Sequence, residues 1–238
     1  MGYSIIAERR LATYVMISTR LAVPLPLGEG EKIMCGRARM AVPLAEIAEL
    51  LRCEPKAWSD EVSNEIRPTD RVATIRLDKY GRRQLELLRW GLIPSWAKDR
   101  KIGNQTFNAR VETAATKPAF RDAWKTRRCL VVVDAFYEWT GPKTARKPNL
   151  VQRADKLPMA LAGLWERWVD QTTGEVVDSC TILTRSSEGP LTAIHDRMPI
   201  VLPEEVHAAW LDRSNVDLSG LVPLPTVEEL IVTPLERI

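Results

Sequence analysis

Residues 160–186 read as one long β-hairpin: two apolar runs meet at Thr172-Thr173-Gly174, a turn-forming triplet. A strand pair of that length cannot stand alone and needs further strands beside it. A second hairpin is predicted from 71–78 and 82–89 around Lys79-Tyr80-Gly81, and the apolar run 129–133 opens a buried strand predicted over 128–139. A late strand is expected at 230–232. The helices between them are short: 43–51 and 203–211, each with proline at its start, and 117–125. Long strands alternating with short helices predict an α+β fold: a largely antiparallel β-sheet or barrel-like core with short peripheral helices.

Length and charge leave room for several partners. The 238 residues suit one domain with a tail, and a net charge of +3 permits nucleic-acid binding without requiring it. Four cysteines, at 35, 53, 129 and 180, and two histidines, His195 and His207, show no metal-ligand spacing. No metal, cofactor or disulfide framework is expected. The apolar stretch 11–19 is too short to span a bilayer and is bracketed by Arg9, Arg10 and Arg20, so neither a membrane segment nor a signal peptide is expected. The cysteine usage predicts a reducing cytoplasm.

Residues 1–33 differ from the rest, with no sustained period and a Pro24-to-Glu31 stretch that packs poorly. They fit a disordered arm, an organelle presequence, or upstream sequence read from a misassigned start. The third reading is preferred, because codons for Gly28-Glu29-Gly30-Glu31 are purine-rich and lie where a ribosome-binding site for Met34 would sit. The expected domain is then 34–238.

A start at Met34 changes the chemistry of Cys35. Removal of the methionine before a small residue exposes an α-amine. Its pKa lies near ~7.8 against ~10.4 for lysine, so the neutral form is on the order of 400-fold more populated at pH 7. The thiol is a second nucleophile on the adjacent carbon. Together they can close a five-membered thiazolidine on one aldehyde, such as a ring-opened abasic deoxyribose offers. Buried away from solvent, Cys35 would instead be a small hydrophobe, the reading given to Cys53, Cys129 and Cys180.

Four further segments carry candidate chemistry. Asn108 can hold a reacting group without titrating, and Arg110 beside it can pair with phosphate; taken alone, the segment reads first as a capped turn with a surface arginine. Glu138, among Phe136, Tyr137 and Trp139, is either a desolvated acid–base carboxylate or a solvated strand end. His195 can move protons near neutrality, with Arg197 as another phosphate contact, or serve as a structural histidine. Trp90 and Trp96 flank a turn-rich loop that could stack unpaired bases, with at least one of them expected to be partly core. His207 falls on a helix and is expected at the surface.

The ordered set of these segments resembles the SOS response-associated peptidase (SRAP) family of abasic-site processing proteins. It runs from Met34-Cys35-Gly36-Arg37 through Trp90-Gly91-Leu92-Ile93-Pro94 with Trp96, and Asn108-Ala109-Arg110 with Glu112-Thr113. It continues through Lys117-Pro118-Ala119-Phe120, Arg127-Arg128-Cys129-Leu130, Phe136-Tyr137-Glu138-Trp139 and His195-Asp196-Arg197-Met198-Pro199. The resemblance implies a groove for single-stranded DNA and a thiazolidine crosslink to abasic sites at Cys35. By the same likeness Asn108 orients the reactants, while Glu138 and His195 move protons. Gly36, Arg37, Trp90, Arg110 and Arg197 are the implied DNA contacts. With DNA as the partner, the expectation is a nucleoid-associated monomer. It also implies lyase-like turnover, with self-cleavage before Cys35 as a second route to the free amine. The competing expectation from the residues themselves is a thiol peptidase with Cys35 as nucleophile and His195 as base.

Overall fold

In the computed structural model, residues 36–56, 63–142, 144–215 and 230–236 are described, all within one unit bounded as Ile33–Ile238. Cys35 and the extension 1–33 lie outside the described residues.

In chain order the elements are β1 (Ala38–Arg39), α1 (Leu44–Leu50), β2 (Glu54–Pro55), β3 (Glu65–Ile66), β4 (Arg71–Leu77) and β5 (Arg83–Trp90). A 3₁₀ helix, Arg100–Asn104, leads to β6 (Asn108–Arg110), α2 (Val111–Ala114), α3 (Arg121–Thr126), β7 (Arg128–Val133) and β8 (Ala135–Thr140). Then come β9 (Lys147–Arg153), β10 (Met159–Val169) and β11 (Val176–Ser186). A second 3₁₀ helix, Gly189–Ala193, precedes β12 (Arg197–Pro199), α4 (Glu204–Leu211) and β13 (Leu230–Pro234).

Five strands close on themselves in the order β11-β10-β7-β4-β5, with β5 returning to pair β11 at Ser179↔Arg89 and Cys180↔Trp90. Closure removes the unpaired edges that long hairpins would otherwise expose. Every residue of β7 is buried, as its apolar run requires. Tight approach within this circuit explains Gly163. A Cβ there would meet Val131 Cγ2 at 2.9 Å and Cys129 Sγ at 3.0 Å, inside van der Waals contact.

The second sheet has the order β13-β9-β8-β1-β3. The chain passes into it at Asp134. The single strand expected over 128–139 is therefore two strands in two sheets. The Asp134 carboxylate accepts the amides of Ala41 and Val42, while its own amide donates to the Arg39 carbonyl at 2.9 Å. One buried carboxylate thus pins a distant segment of the chain beside β8.

Arg128 explains how the short helices are held. Its guanidinium donates to the carbonyls of Trp124 and Lys125 at the end of α3, and to Trp210, Asp212 and Asn215 at the end of α4. Helix C-termini leave such carbonyls without intrahelical partners, and a buried cation complements them. Trp124 and Trp210 meet edge-on at 6.1 Å, and the Trp210 indole donates to the Cys129 carbonyl.

The fold is α+β, with the predicted hairpins, α1, α4 and the late strand in place. The helix expected over 117–125 begins only at Arg121, after a turn. His207, expected at the surface, is buried: it lies on the inner face of α4, with Nε2 2.9 Å from the Leu202 carbonyl. Among the described residues no helix is long and apolar enough to cross a membrane.

Candidate functional site

Two groups of candidate residues emerge from the strand pairing. The first gathers around the C-terminal end of β11. Here β6 runs parallel to β11, setting Asn108 opposite Ile182 and Arg110 opposite Thr184. Strand β12 runs antiparallel to the same segment, with Arg197 opposite Ser186. Asn108 and Arg110 therefore share one face of β6, with buried Ala109 on the other. Thr184 joins the two flanking strands. Its hydroxyl donates to the Ala109 carbonyl at 3.4 Å, and its carbonyl accepts from Arg197 Nη2 at 2.6 Å.

His195 enters this group from the 3₁₀ helix Gly189–Ala193, against which β13 packs. Its amide donates to Leu191 and its carbonyl accepts from the Ser187 hydroxyl at 2.6 Å. The ring is buried, with Nδ1 3.0 Å from the Arg197 amide nitrogen and 2.9 Å from an Asp196 carboxylate oxygen. In the neutral ring Nδ1 accepts the Arg197 N–H, which places the proton on Nε2. Protonation of Nδ1 would exchange that bond for one to exposed Asp196.

Arg197 is held more tightly than a surface arginine. Nη1 and Nη2 reach the two oxygens of Glu112, on the first turn of α2, at 2.7 and 2.8 Å. The guanidinium's hydrogen bond holds the Glu112 carboxyl below the usual carboxylate range.

The second group lies on the other sheet. Ala38 pairs with Phe136, and the Tyr137 amide donates to the Arg37 carbonyl at 2.9 Å, so the chain at Gly36 and Arg37 comes in alongside Tyr137 and Glu138. Glu138 is only 2% exposed, so it is not a solvated strand end. It pairs with Asn149, whose side-chain amide donates to the Glu138 carbonyl at 3.3 Å. Arg37 lies over the Trp139 ring at 5.7 Å, with the Glu65 carboxylate 3.9 Å from Nη1.

Trp90 does not join either group. It is fully buried, its ring edge-on to Phe107 at 6.0 Å and its indole donating to the Phe107 carbonyl at 2.9 Å. An indole sealed in the core cannot stack on a base, which corrects the expectation for Trp90. Trp96, at the far end of the same loop, is 56% exposed and carries the available ring face. The loop between them starts at Gly91, φ +129°, whose backbone packs against that of Gly103 so closely that any Cβ would collide.

The described cysteines are poor nucleophiles. Burial pushes the Cys53 thiol up to about 11 and the Cys180 thiol to about 12, and raises Cys129 as well. Cys53 is only half-buried rather than core, but its thiol stays protonated at neutral pH.

Sequence reasoning missed two members of the first group. Thr184 carried no motif of its own. Glu112 stood among the motif residues but had no role, because its partner lies 85 positions away.

Known proteins resemble the chain in sequence and in fold. A relative from Bacillus subtilis, "Abasic site processing protein YoqW", is 38% identical over 188 residues, covering 77% of this chain and 83% of that protein. "Abasic site processing protein HMCES" of Xenopus tropicalis is 32% identical over 179 residues, spanning 66% of this chain and 51% of the relative. The fold recurs in a Bordetella bronchiseptica protein with TM-score 0.73 at 28% identity, covering 85% of this chain and all of the other (100%). A Bacteroides thetaiotaomicron protein shares the fold with TM-score 0.76 at 22% identity, over 85% and 92% of the two chains. The family described as SOS response associated peptidase (SRAP) matches residues 34–237, and the chain belongs to that family.

Proposed function

We propose that this protein captures abasic sites in single-stranded DNA as a thiazolidine on Cys35, with Met34 as the true start and Cys35 as the mature N-terminus. The α-amine adds to the C1′ aldehyde of the opened sugar, and water leaves to give an imine. The thiol then adds across the C=N bond, sulfur to carbon and proton to nitrogen, so one water is released overall.

The observation that carries this reading is the placement of a buried carboxylate, Glu138, on the strand beside which the chain enters at Gly36 and Arg37. A buried acid next to the entering N-terminal segment is a proton carrier for carbinolamine dehydration and for the reverse reaction. His195 serves the same traffic from the end of β11, and Asn108 orients the sugar. Gly36 leaves room for the strand to approach, Arg37 and Arg110 contact phosphates, and Trp96 takes the stacking role first given to Trp90. Self-cleavage before Cys35 is a second route to the amine. Reversal of the crosslink, with Glu138 moving the protons as water adds back and restores the aldehyde, the amine and the thiol, gives turnover; a lyase-like outcome needs the imine to lose the 3′ phosphate by β-elimination instead. The protein acts as a monomer bound to DNA in the cytoplasm.

The test is incubation of protein beginning at Cys35 with an oligonucleotide bearing one abasic site, followed by heating and denaturing electrophoresis. A heat-stable adduct is expected, absent for Cys35→Ser and for full-length protein whose mass shows residues 1–34 retained. No adduct from the Cys35-initiated protein overturns the proposal.

A further inference from the structure

Glu112, in the first turn of α2 directly after β6, and Arg197, on β12, form a closed charge pair beside the end of β11. Three of the five guanidinium N–H groups are taken, two by the Glu112 carboxylate at 2.7 and 2.8 Å and one by the Thr184 carbonyl at 2.6 Å. Arg197 is largely buried, with 13% of its side chain exposed against 49% for Glu112. Arg110, on the same face as Asn108, is exposed by contrast.

These two arginines cannot meet a DNA backbone in the same way. A phosphate approaching Arg197 meets the field of a carboxylate already seated on the guanidinium, so it finds a pair of net charge near zero. Such a group releases few counterions on binding. What the pair keeps is direction. The fork on Glu112 fixes the guanidinium plane, and with it the one remaining Nη1 N–H, the buried Nε–H and the Arg197 amide that bonds His195 Nδ1 at 3.0 Å.

We infer that Glu112 is a positioning residue: it cancels the charge of Arg197 towards undamaged DNA and converts it into an oriented hydrogen-bond donor beside His195. The protein thereby trades unspecific backbone affinity for geometry at the lesion. This rests on the abasic-capture reading, and it makes an opposed prediction for affinity and capture that a merely structural carboxylate does not.

The experiment uses protein beginning at Cys35 and measures two quantities. One is equilibrium binding of undamaged single-stranded DNA across a salt series. The other is the rate of adduct formation with the abasic oligonucleotide under saturating protein. For Glu112→Gln, the loss of the carboxylate frees one cationic charge, so the log–log salt slope steepens by about 0.7 and low-salt affinity rises. Capture slows about tenfold, the scale of one charge-assisted hydrogen bond. The double variant E112Q/R197Q restores the wild-type slope without restoring capture. Glu112→Asp, which keeps the charge but shortens the reach, retains the wild-type slope and covers the case in which Glu112→Gln fails to fold. Unchanged slope with Glu112→Gln, a steepened slope with Glu112→Asp, or capture at the wild-type rate with Glu112→Gln overturns the inference. Absence of any adduct from the wild-type protein would instead defeat the capture reading, leaving the salt slopes to be judged separately.

Discussion

The Tyr137 amide donates to the Arg37 carbonyl at 2.9 Å, and that single bond aligns the entering chain with the strand that carries Glu138. Ala38 opposite Phe136 and Arg39 opposite Ala135 continue the register, while Asp134 fixes the next turn through Ala41 and Val42. The position of the segment from Gly36 to Val42 is thus set by backbone bonds and by the Asp134 carboxylate, with the buried Glu138 on the strand beside it.

Glu138→Gln should therefore separate binding from reaction. The amide is isosteric and the backbone bonds around it are untouched, so affinity for undamaged single-stranded DNA should stay within about twofold. Adduct formation, or its reversal, should slow by at least about a hundredfold if the carboxylate carries protons. Quenched time courses beside an equilibrium titration measure both. A parallel loss of affinity would mark Glu138 as structural.

Trp90 and Trp96 sit at the two ends of one loop and should respond oppositely. Trp96→Ala leaves the core intact, so thermal stability should hardly change while single-strand affinity falls roughly tenfold, the scale of one lost base stack. Trp90→Ala empties a site closed by Phe107 and should cost roughly 3–5 kcal/mol of stability. Denaturant titrations alongside binding isotherms distinguish them. Loss of affinity without loss of stability at Trp90 would contradict the burial seen here.

Much of this architecture was legible because it is local. The hairpin at 160–186 shows in its turn triplet, and α1 and α4 show in their prolines. The break at Asp134 was hidden, since nothing in a run from Arg128 to Trp139 marks where a chain changes sheets. What decides it is Asp134 gripping Ala41 and Val42, more than ninety positions away. The same holds for His207 and Trp90. Helical spacing or a loop's aromatic content gives the residue's face, but only the partners, Leu202 and Phe107, decide that it is buried. The candidate residues were legible as motif members, whereas the Glu112–Arg197 pair needed strands β6 and β12 to be brought to the same end of β11.

Arg110 is exposed on β6, and its replacement should act through counterions. Arg110→Gln should weaken binding of undamaged single-stranded DNA and flatten the log–log salt slope by about 0.7, the value for one phosphate contact on a single strand. Fluorescence anisotropy between low and moderate salt reads the slope directly. A weaker affinity with an unchanged slope would mean that Arg110 supports the fold around Asn108 and makes no phosphate contact.

Burial of His207 carries a stability signature in pH. Desolvation is the main cause that lowers its pKa, opposed by the Leu202 carbonyl and by Glu204 and Glu205, with Arg83 adding to the depression. The ring is therefore neutral in the fold, and unfolding exposes it to its ordinary value near ~6.5. A depressed folded-state pKa gives a contribution that is complete above the unfolded pKa. It is lost as pH falls from there through the folded value, because the unfolded chain gains the proton first. Between pH 7.5 and 5.5 the wild type should lose more stability than His207→Gln, by up to about 1.4 kcal/mol per pH unit below ~6.5. Urea titrations of both proteins at the two pH values measure that difference. Parallel losses in the two would show that His207 takes up its proton in the folded state as readily as in the unfolded chain, which a ring closed against Leu202 should not do.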